Sequence, residues 1–511
     1  MFFCTGRAGW QDWSTQDGEE FKESMTSLSQ RVARSGYWLF NLRILDQIFN
    51  FIRTIILARL LIPADFGVFG IAILAMSILE TFSTTGFDSA LIQKKEKIED
   101  YLDIAWTLSI IRGLTLSIII YLIAPFTGIF FNNTSAVPII KVIGLSVLLS
   151  GISNIGIIYF QKELEFKKQV IYLLSGTIVE LTVAVILAFL LQSVWALVFG
   201  LLAGSFVRLL VSYIVHPYRP SLKFDFEKAK ELFGFGKWVW GASALVFLLT
   251  HGDDILVGKI LGVAALGFYQ MAYRITNMPA TEISNIISQV SFPAYSKLQD
   301  NLSKLREAYI KVLHLTILVS FPLAGGIFIL SPEFTKIFLG EKWMPMVPAM
   351  QVLALYGLLR ALGGTTGAVF LGIGKPEIST KIKLGQLILL AVIIYPLTVK
   401  FGILGTSIAV TVYALVFNIF AVYKVLNIVK SGYKEVVKTA AFTILSTLIM
   451  IFTILCVKVY LLHNFTLLPF FISVIAGVIT YTLVTFLFDR FLKYDSIKLI
   501  KEQIRAVFGT S

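Results

Sequence analysis

Residues 435–456 read EVVKTAAFTILSTLIMIFTILC, and after Lys438 the run carries no charge. A stretch of about 20 apolar residues is the length of one helix across the ~30 Å hydrocarbon layer of a bilayer. Working outward, the same kind of run recurs along the whole chain. Hydropathy and turn residues place spans at 37–60, 66–91, 103–124, 137–160, 169–190, 194–215, 232–258, 266–292, 311–330, 346–370, 379–399, 402–423, 435–456 and 466–489. Of the 511 residues 57% are hydrophobic and 15% charged, against about 25% charged in soluble domains. The mean hydropathy is +0.81. Strands of a membrane barrel would alternate apolar and polar residues instead. The expected fold class is therefore an all-α integral membrane protein of about fourteen transmembrane helices.

Charge orients the spans. With the N-terminus inside, the segments facing the cytoplasm hold 28 Lys and Arg residues and the opposite segments hold six. Cytoplasmic loops carry such an excess. Both termini are thus expected in the cytoplasm, and the net charge of +13 reads as topology, with no nucleic-acid partner. No loop exceeds about 18 residues, too short for a soluble catalytic domain. Cys4 and Cys456 imply no disulfide framework, and the four histidines share no metal-ligand spacing. Phosphate loops, nucleotide-binding glycine fingerprints and nucleophile elbows are absent from the sequence. It predicts a non-enzyme with no cofactor and no metal.

Residues 1–30 read as a polar cytoplasmic tail. Its first 24 residues read either as an over-extended start ahead of Met25 or as a short native tail. Further on, an offset of 200 residues lays Leu57-Ala58-Arg59-Leu60-Leu61 over Val257-Gly258-Lys259-Ile260-Leu261, and Ala64, Gly67 and Ala72 over Ala264, Gly267 and Ala272. This predicts two parallel six-helix lobes, 31–215 and 232–430, joined by a cytoplasmic linker at 216–231. Two further spans (431–489) and a basic cytoplasmic tail (490–511) complete the chain. Parallel repeats place a substrate site between the halves.

Polar stripes interrupt some spans. Arg43, Asp46, Gln47, Asn50, Arg53 and Thr54 fall within about a 120° arc of the first helix. Ser77, Glu80, Ser83, Thr84 and Asp88 make a second stripe, and Arg274, Asn277, Thr281, Ser284, Asn285 and Ser288 a third; Asp253 and Asp254 follow His251 in the seventh span. An ionisable residue at the bilayer centre costs ~2.5–3.5 kcal/mol and faces a cavity or a partner. Two readings follow. One is a hydrated cavity lined by spans 1, 2, 7 and 8. The other is internal ion pairing, such as Arg43 with Asp46 or Arg53 with Asp253. The remaining spans read as mostly apolar.

Four segments carry a family resemblance: Ile56-Leu57-Ala58-Arg59-Leu60-Leu61-Ile62-Pro63-Ala64-Asp65-Phe66-Gly67, Phe292-Pro293-Ala294-Tyr295-Ser296-Lys297-Leu298, Leu339-Gly340-Glu341-Lys342-Trp343 with Pro345 and Pro348, and Gly372-Ile373-Gly374-Lys375-Pro376. In order and spacing along residues 30 to about 430, the chain resembles the polysaccharide and lipid-linked oligosaccharide flippases of the multidrug/oligosaccharidyl-lipid/polysaccharide exporter superfamily. Within it, the lipopolysaccharide, teichuronic and colanic acid exporter branch is the most similar. The resemblance implies a two-lobed alternating-access transporter in the cytoplasmic membrane, moving an undecaprenyl-diphosphate-linked glycan. A diphosphate favours the planar fork of arginine, and Arg43, Arg53, Arg274 and Arg360 are the residues expected to hold it. Asp46, Gln47, Asn50, Glu80, Asp88, Asp253, Asp254, Asn277 and Asn285 are the expected polar cavity residues. The acids among them can hold arginines in place, bind sugar hydroxyls or bind a coupling cation, H+ or Na+. The expected partners are the lipid-linked glycan and the bilayer, and the expected state is a monomer. The alternatives are a multidrug/cation antiporter of the same superfamily and a membrane glycan polymerase or ligase.

Overall fold

A computed structural model of the protein describes residues 45–83, 99–163, 165–461 and 466–492. Within them every regular element is a helix. We number the helices in chain order. The first, α1, covers 45–60 as far as it is described. Then come α2 (Pro63–Phe82), α3 (Glu99–Phe130), α4 (Ala136–Ile152), a short α5 (Ile158–Lys162), α6 (Phe166–Leu191) and α7 (Trp195–Val215). The second part holds α8 (Phe226–Ile260), α9 (Val263–Leu298), α10 (Leu302–Phe334), α11 (Val347–Gly372), α12 (Pro376–Ile428), α13 (Tyr433–Leu461) and α14 (Leu467–Leu492). Among the described residues nine helices are long and apolar enough to cross a membrane. The protein is a multi-pass membrane protein.

Local chemistry sets the helix ends. Pro63 occupies the first turn of α2, where its missing N–H costs nothing. One turn in, the Asp65 carboxylate accepts from the Ile62 N–H at 3.1 Å and reaches across to the Val194 N–H at 3.2 Å. Asn301 caps α10 by accepting from the Lys304 N–H at 3.1 Å. Two of the expected ends move. The spans expected to end at 124 and 292 continue, as α3 and α9, through Pro125 and Pro293 to Phe130 and Leu298. The spans expected at 379–399 and 402–423 are both helical, and within α12 they meet at a kink at Gly402. There φ is 61°, a left-handed conformation that glycine adopts without a Cβ clash.

Burial follows a membrane logic. Large apolar side chains point outward in number: Ile214 is 79% exposed, Phe491 74% and Leu190 73%. In water such surface would drive association; in lipid it is the solvated face. The interior is packed with small residues and aromatics. Trp343, fully buried in the turn after α10, donates its indole N–H to the Ala58 carbonyl at 2.9 Å. Its ring lies edge-on to Phe66 of α2 and Phe268 of α9, with centroids 5.2 and 5.8 Å away. Helices α2 and α9 therefore cross in contact beneath this tryptophan. The same end carries two ties between early and late parts of the chain. Arg59 donates to the Ile337 and Phe338 carbonyls, and Lys259 donates to the Phe130 carbonyl.

Candidate functional site

Helices α1, α9 and α11 enclose a cavity of about 420 Å³. Asp46, Gln47, Asn50, Phe51 and Thr54 form its α1 wall, Tyr273, Arg274, Asn277, Met278 and Thr281 belong to α9, and Arg360 comes from α11. The polar stripes of α1 and α9 thus meet across one space, since residues three and four apart share a helix face. Spans 2 and 7 were expected to share this wall, and among the described residues they contribute none of its lining. Instead α11 supplies the third side through Arg360.

The polar groups of this wall are held in place. Asp46 accepts from Asn50 Nδ2 at 3.0 Å and from Thr177 Oγ1 of α6 at 2.9 Å. Gln47 donates to Glu282 of α9 at 3.0 Å. Arg360 donates to the Tyr273 hydroxyl at 3.0 Å. Asn277 is 2% exposed and gives its amide N–H groups to Tyr273 O and Thr276 Oγ1, while its side-chain oxygen has no partner. Arg274 differs from all of these. It opens to the cavity and makes no hydrogen bond or ion pair among the described residues. Its guanidinium therefore offers up to five donors to whatever occupies the cavity.

Arg53 takes another course. It forms an ion pair with Glu180 of α6, which also accepts from Arg208 of α7 at 3.4 Å. The pairing of Arg53 with Asp253 weighed from the sequence does not occur. Asp253 is 3% exposed and accepts from the Tyr269 hydroxyl at 2.6 Å. Asp254 lies 3.7 Å from His251. Both aspartates sit on the faces of α8 turned toward α9 side chains and away from this cavity. Glu80 is in electrostatic range of Arg112 of α3, whose guanidinium donates to Ser83 Oγ at 3.1 and 3.2 Å. Asn285 is exposed and lines none of this wall. Arg43 and Asp88 lie outside the described residues.

The sequence reading passed over Glu180, Thr177, Glu282 and Tyr273. Glu180 had a signal: it is the one acid inside the run 169–190, with Thr177 three residues before it on the same face. Intramembrane acids are expensive without a partner, and its partners here are Arg53 and Arg208.

Two larger cavities adjoin the site. One, of about 660 Å³, is lined by residues of α8, α9, α11 and α12, including Ser288, Tyr356, Lys383, Gln386 and Asn418. Arg360 belongs to its lining as well as to that of the first cavity. The other, of about 900 Å³, lies among α9, α10, α13 and α14 and is almost wholly apolar. Phe51, Ile275 and Met278 line both it and the polar cavity.

A helical membrane protein with an arginine-bearing cavity among its helices has the architecture of a membrane transporter. Residues 56–348, over half of the chain, match the family described as polysaccharide biosynthesis protein, and the chain belongs to that family. It is 28% identical to the lipopolysaccharide biosynthesis protein WzxC of Escherichia coli (strain K12), over 70% of this chain and 73% of that one. It is 29% identical to the teichuronic acid biosynthesis protein TuaB of Bacillus subtilis (strain 168), over 58% of this chain and 61% of the relative. The fold is that of the lipid II flippase MurJ in its inward closed conformation, with a TM-score of 0.68 at 17% identity, covering 88% of this chain and 98% of that one. An inward-facing multidrug resistance MATE family transporter of the MOP superfamily follows, with a TM-score of 0.57 at 18% identity, covering 76% and 96%.

Proposed function

We propose that this protein flips a prenyl-diphosphate-linked oligosaccharide or polysaccharide repeat unit across the cytoplasmic membrane by alternating access. The observation that carries the reading is Arg274, exposed to a polar cavity and free of any ion pair among the described residues. An unpaired guanidinium within a membrane protein is costly unless a ligand meets it, and a diphosphate suits its fork. Arg360 stands where the 420 Å³ and 660 Å³ cavities meet, so it can serve the same headgroup while sugars extend into the second space. The shared wall of Phe51, Ile275 and Met278 lets a prenyl chain leave the headgroup and enter the 900 Å³ apolar cavity. Relatives named for lipopolysaccharide and teichuronic acid biosynthesis support the class of cargo.

In this reading fourteen spans cross the membrane, with both ends in the cytoplasm. Residues 31–215 and 232–430 form two lobes, with α13 and α14 appended. The 28-to-6 division of Lys and Arg supports the orientation. A multidrug antiporter would be better served by an acid-lined cavity, and here Arg274 and Arg360 face a single lining carboxylate, Asp46. The test is glycan export in cells that depend on this chain. Arg274→Ala should lower export by about tenfold or more at unchanged membrane levels, and wild-type export by that variant would refute the assignment.

A further inference from the structure

Glu180 is shared by two arginines from two helices. Arg53 of α1 and Arg208 of α7 both reach its carboxylate, with side-chain exposures of 15% for Arg53, 15% for Glu180 and 30% for Arg208. Arg274 of α9 is in electrostatic range of both Arg53 and Glu180. Asn50 and Thr54, three residues before and one after Arg53, line the polar cavity. The arrangement has room built for it: a Cβ on Gly176 of α6 would lie 2.4 Å from the Arg208 side chain. Arg53 and Arg208 thus share the Glu180 carboxylate with Arg274 in range of it, while Asp46 is engaged with the neutral donors of Asn50 and Thr177.

A lone buried ion pair would be a poor place to recruit a ligand-binding arginine. Removing one partner leaves an uncompensated charge inside the membrane protein, which is strongly destabilising. Arg208 changes that balance. If Arg53 swings away, Glu180 keeps a cation, and no bare carboxylate remains in the membrane. We propose that Glu180 is a positioning residue that stands in for the substrate diphosphate. It holds Arg53 beside the cavity while the site is empty, and it yields Arg53 to the ligand while staying neutralised by Arg208. The proposal rests on the reading that the Arg274 cavity receives a diphosphate.

The test uses the full chain in lipid nanodiscs, with farnesyl diphosphate as the probe and farnesol as the uncharged control. Glu180→Gln releases Arg53 without a competitor. It should tighten farnesyl diphosphate binding by about tenfold, the value of one charge-assisted hydrogen bond no longer traded away. A purely structural glutamate would give looser or unchanged binding. Adding Arg53→Gln to Glu180→Gln should cancel the gain, and Glu180→Asp should bind as wild type. Arg208→Gln supplies an independent arm should Glu180→Gln fold poorly. It leaves Arg53 as the sole neutraliser of Glu180 and should weaken binding. Unchanged binding in both Glu180→Gln and Arg208→Gln, with Arg274→Gln still destroying it, overturns the stand-in role and leaves the cavity assignment intact. Unchanged binding in Arg274→Gln overturns the cavity assignment itself.

Discussion

Gly67 of α2 and Gly267 of α9 bring their helices into backbone contact. A Cβ on Gly67 would lie 1.8 Å from the Val263 carbonyl oxygen, and one on Gly267 would lie 2.0 Å from that of Pro63. Both the glycines and the residues they meet are separated by 200 positions, the offset at which the two parts of the sequence align. The contact is thus reciprocal, as a pseudo-two-fold crossing requires. Backbone cannot move aside as a flexible side chain can. Gly67→Ala and Gly267→Ala should each destabilise the protein by about 1–3 kcal/mol through overpacking. Gly326→Ala, which meets nothing within 4 Å, should be silent. Thermal unfolding followed by fluorescence-detected size exclusion separates the three.

The same end is tied by two cations that each cap the other part of the chain. Arg59 Nε donates to Phe338 O at 2.8 Å just after α10, and Lys259 Nζ donates to Phe130 O at 2.7 Å at the end of α3. A cation at a helix C-terminus contributes about 0.3–1 kcal/mol, so either substitution alone should do little. The double variant Arg59→Ala/Lys259→Ala should loosen this end. A thiol reagent that does not cross membranes should label a cysteine placed at the fully buried Leu266 faster in that background, with Cys4 and Cys456 replaced by Ser. Arg59→Lys/Lys259→Arg, which keeps both charges, should label at the parental rate.

How much of this was legible in the sequence depends on the kind of signal. Polar residues three and four apart gave the inward faces of α1 and α9, and those faces do meet across one cavity through Asp46, Asn50, Arg274 and Asn277. Periodicity reports a face, not a partner, so Arg53 could not be assigned to Glu180 or Asp253 to Tyr269 from spacing alone. Prolines misled at helix ends. The spans read to 124 and 292 stop before Pro125 and Pro293, but in a membrane helix the backbone group freed by a proline can be satisfied by neighbouring helices, and α3 and α9 continue through them. Arg360 was among the expected arginines, but α11 was not placed in the cavity wall, because Arg360 stands nearly alone on an apolar helix without a stripe to mark its face.

One buried ion pair joins α13 to α10, beside the apolar packing of Leu330 with Met450 and Ile454. Lys458 Nζ lies 2.7 Å from Glu333, whose side chain is 6% exposed, and donates to the Ile329 carbonyl at 3.0 Å. The second Glu333 oxygen has no hydrogen-bond partner. Lys458→Met should therefore cost about 3–5 kcal/mol by stranding the carboxylate. Glu333→Gln/Lys458→Met should recover most of that loss. Equal thermal stability of Lys458→Met and the parent would show that the pair holds nothing together.

The most direct measurement of the central claim is translocation itself. Purified protein is reconstituted in liposomes with a fluorescent prenyl-diphosphate-linked disaccharide, and the fraction reaching the outer leaflet is read by an impermeant quencher. Wild type should flip the lipid. Arg274→Ala should lower the rate by about tenfold or more, since a charge-assisted hydrogen bond contributes ~1.5–3 kcal/mol and 1.4 kcal/mol is a factor of ten. Arg360→Ala should act in the same direction, and Arg274→Lys should recover only part of the rate because it keeps the charge without the fork. Wild-type translocation by both Arg274→Ala and Arg360→Ala, at equal reconstitution, would contradict the account.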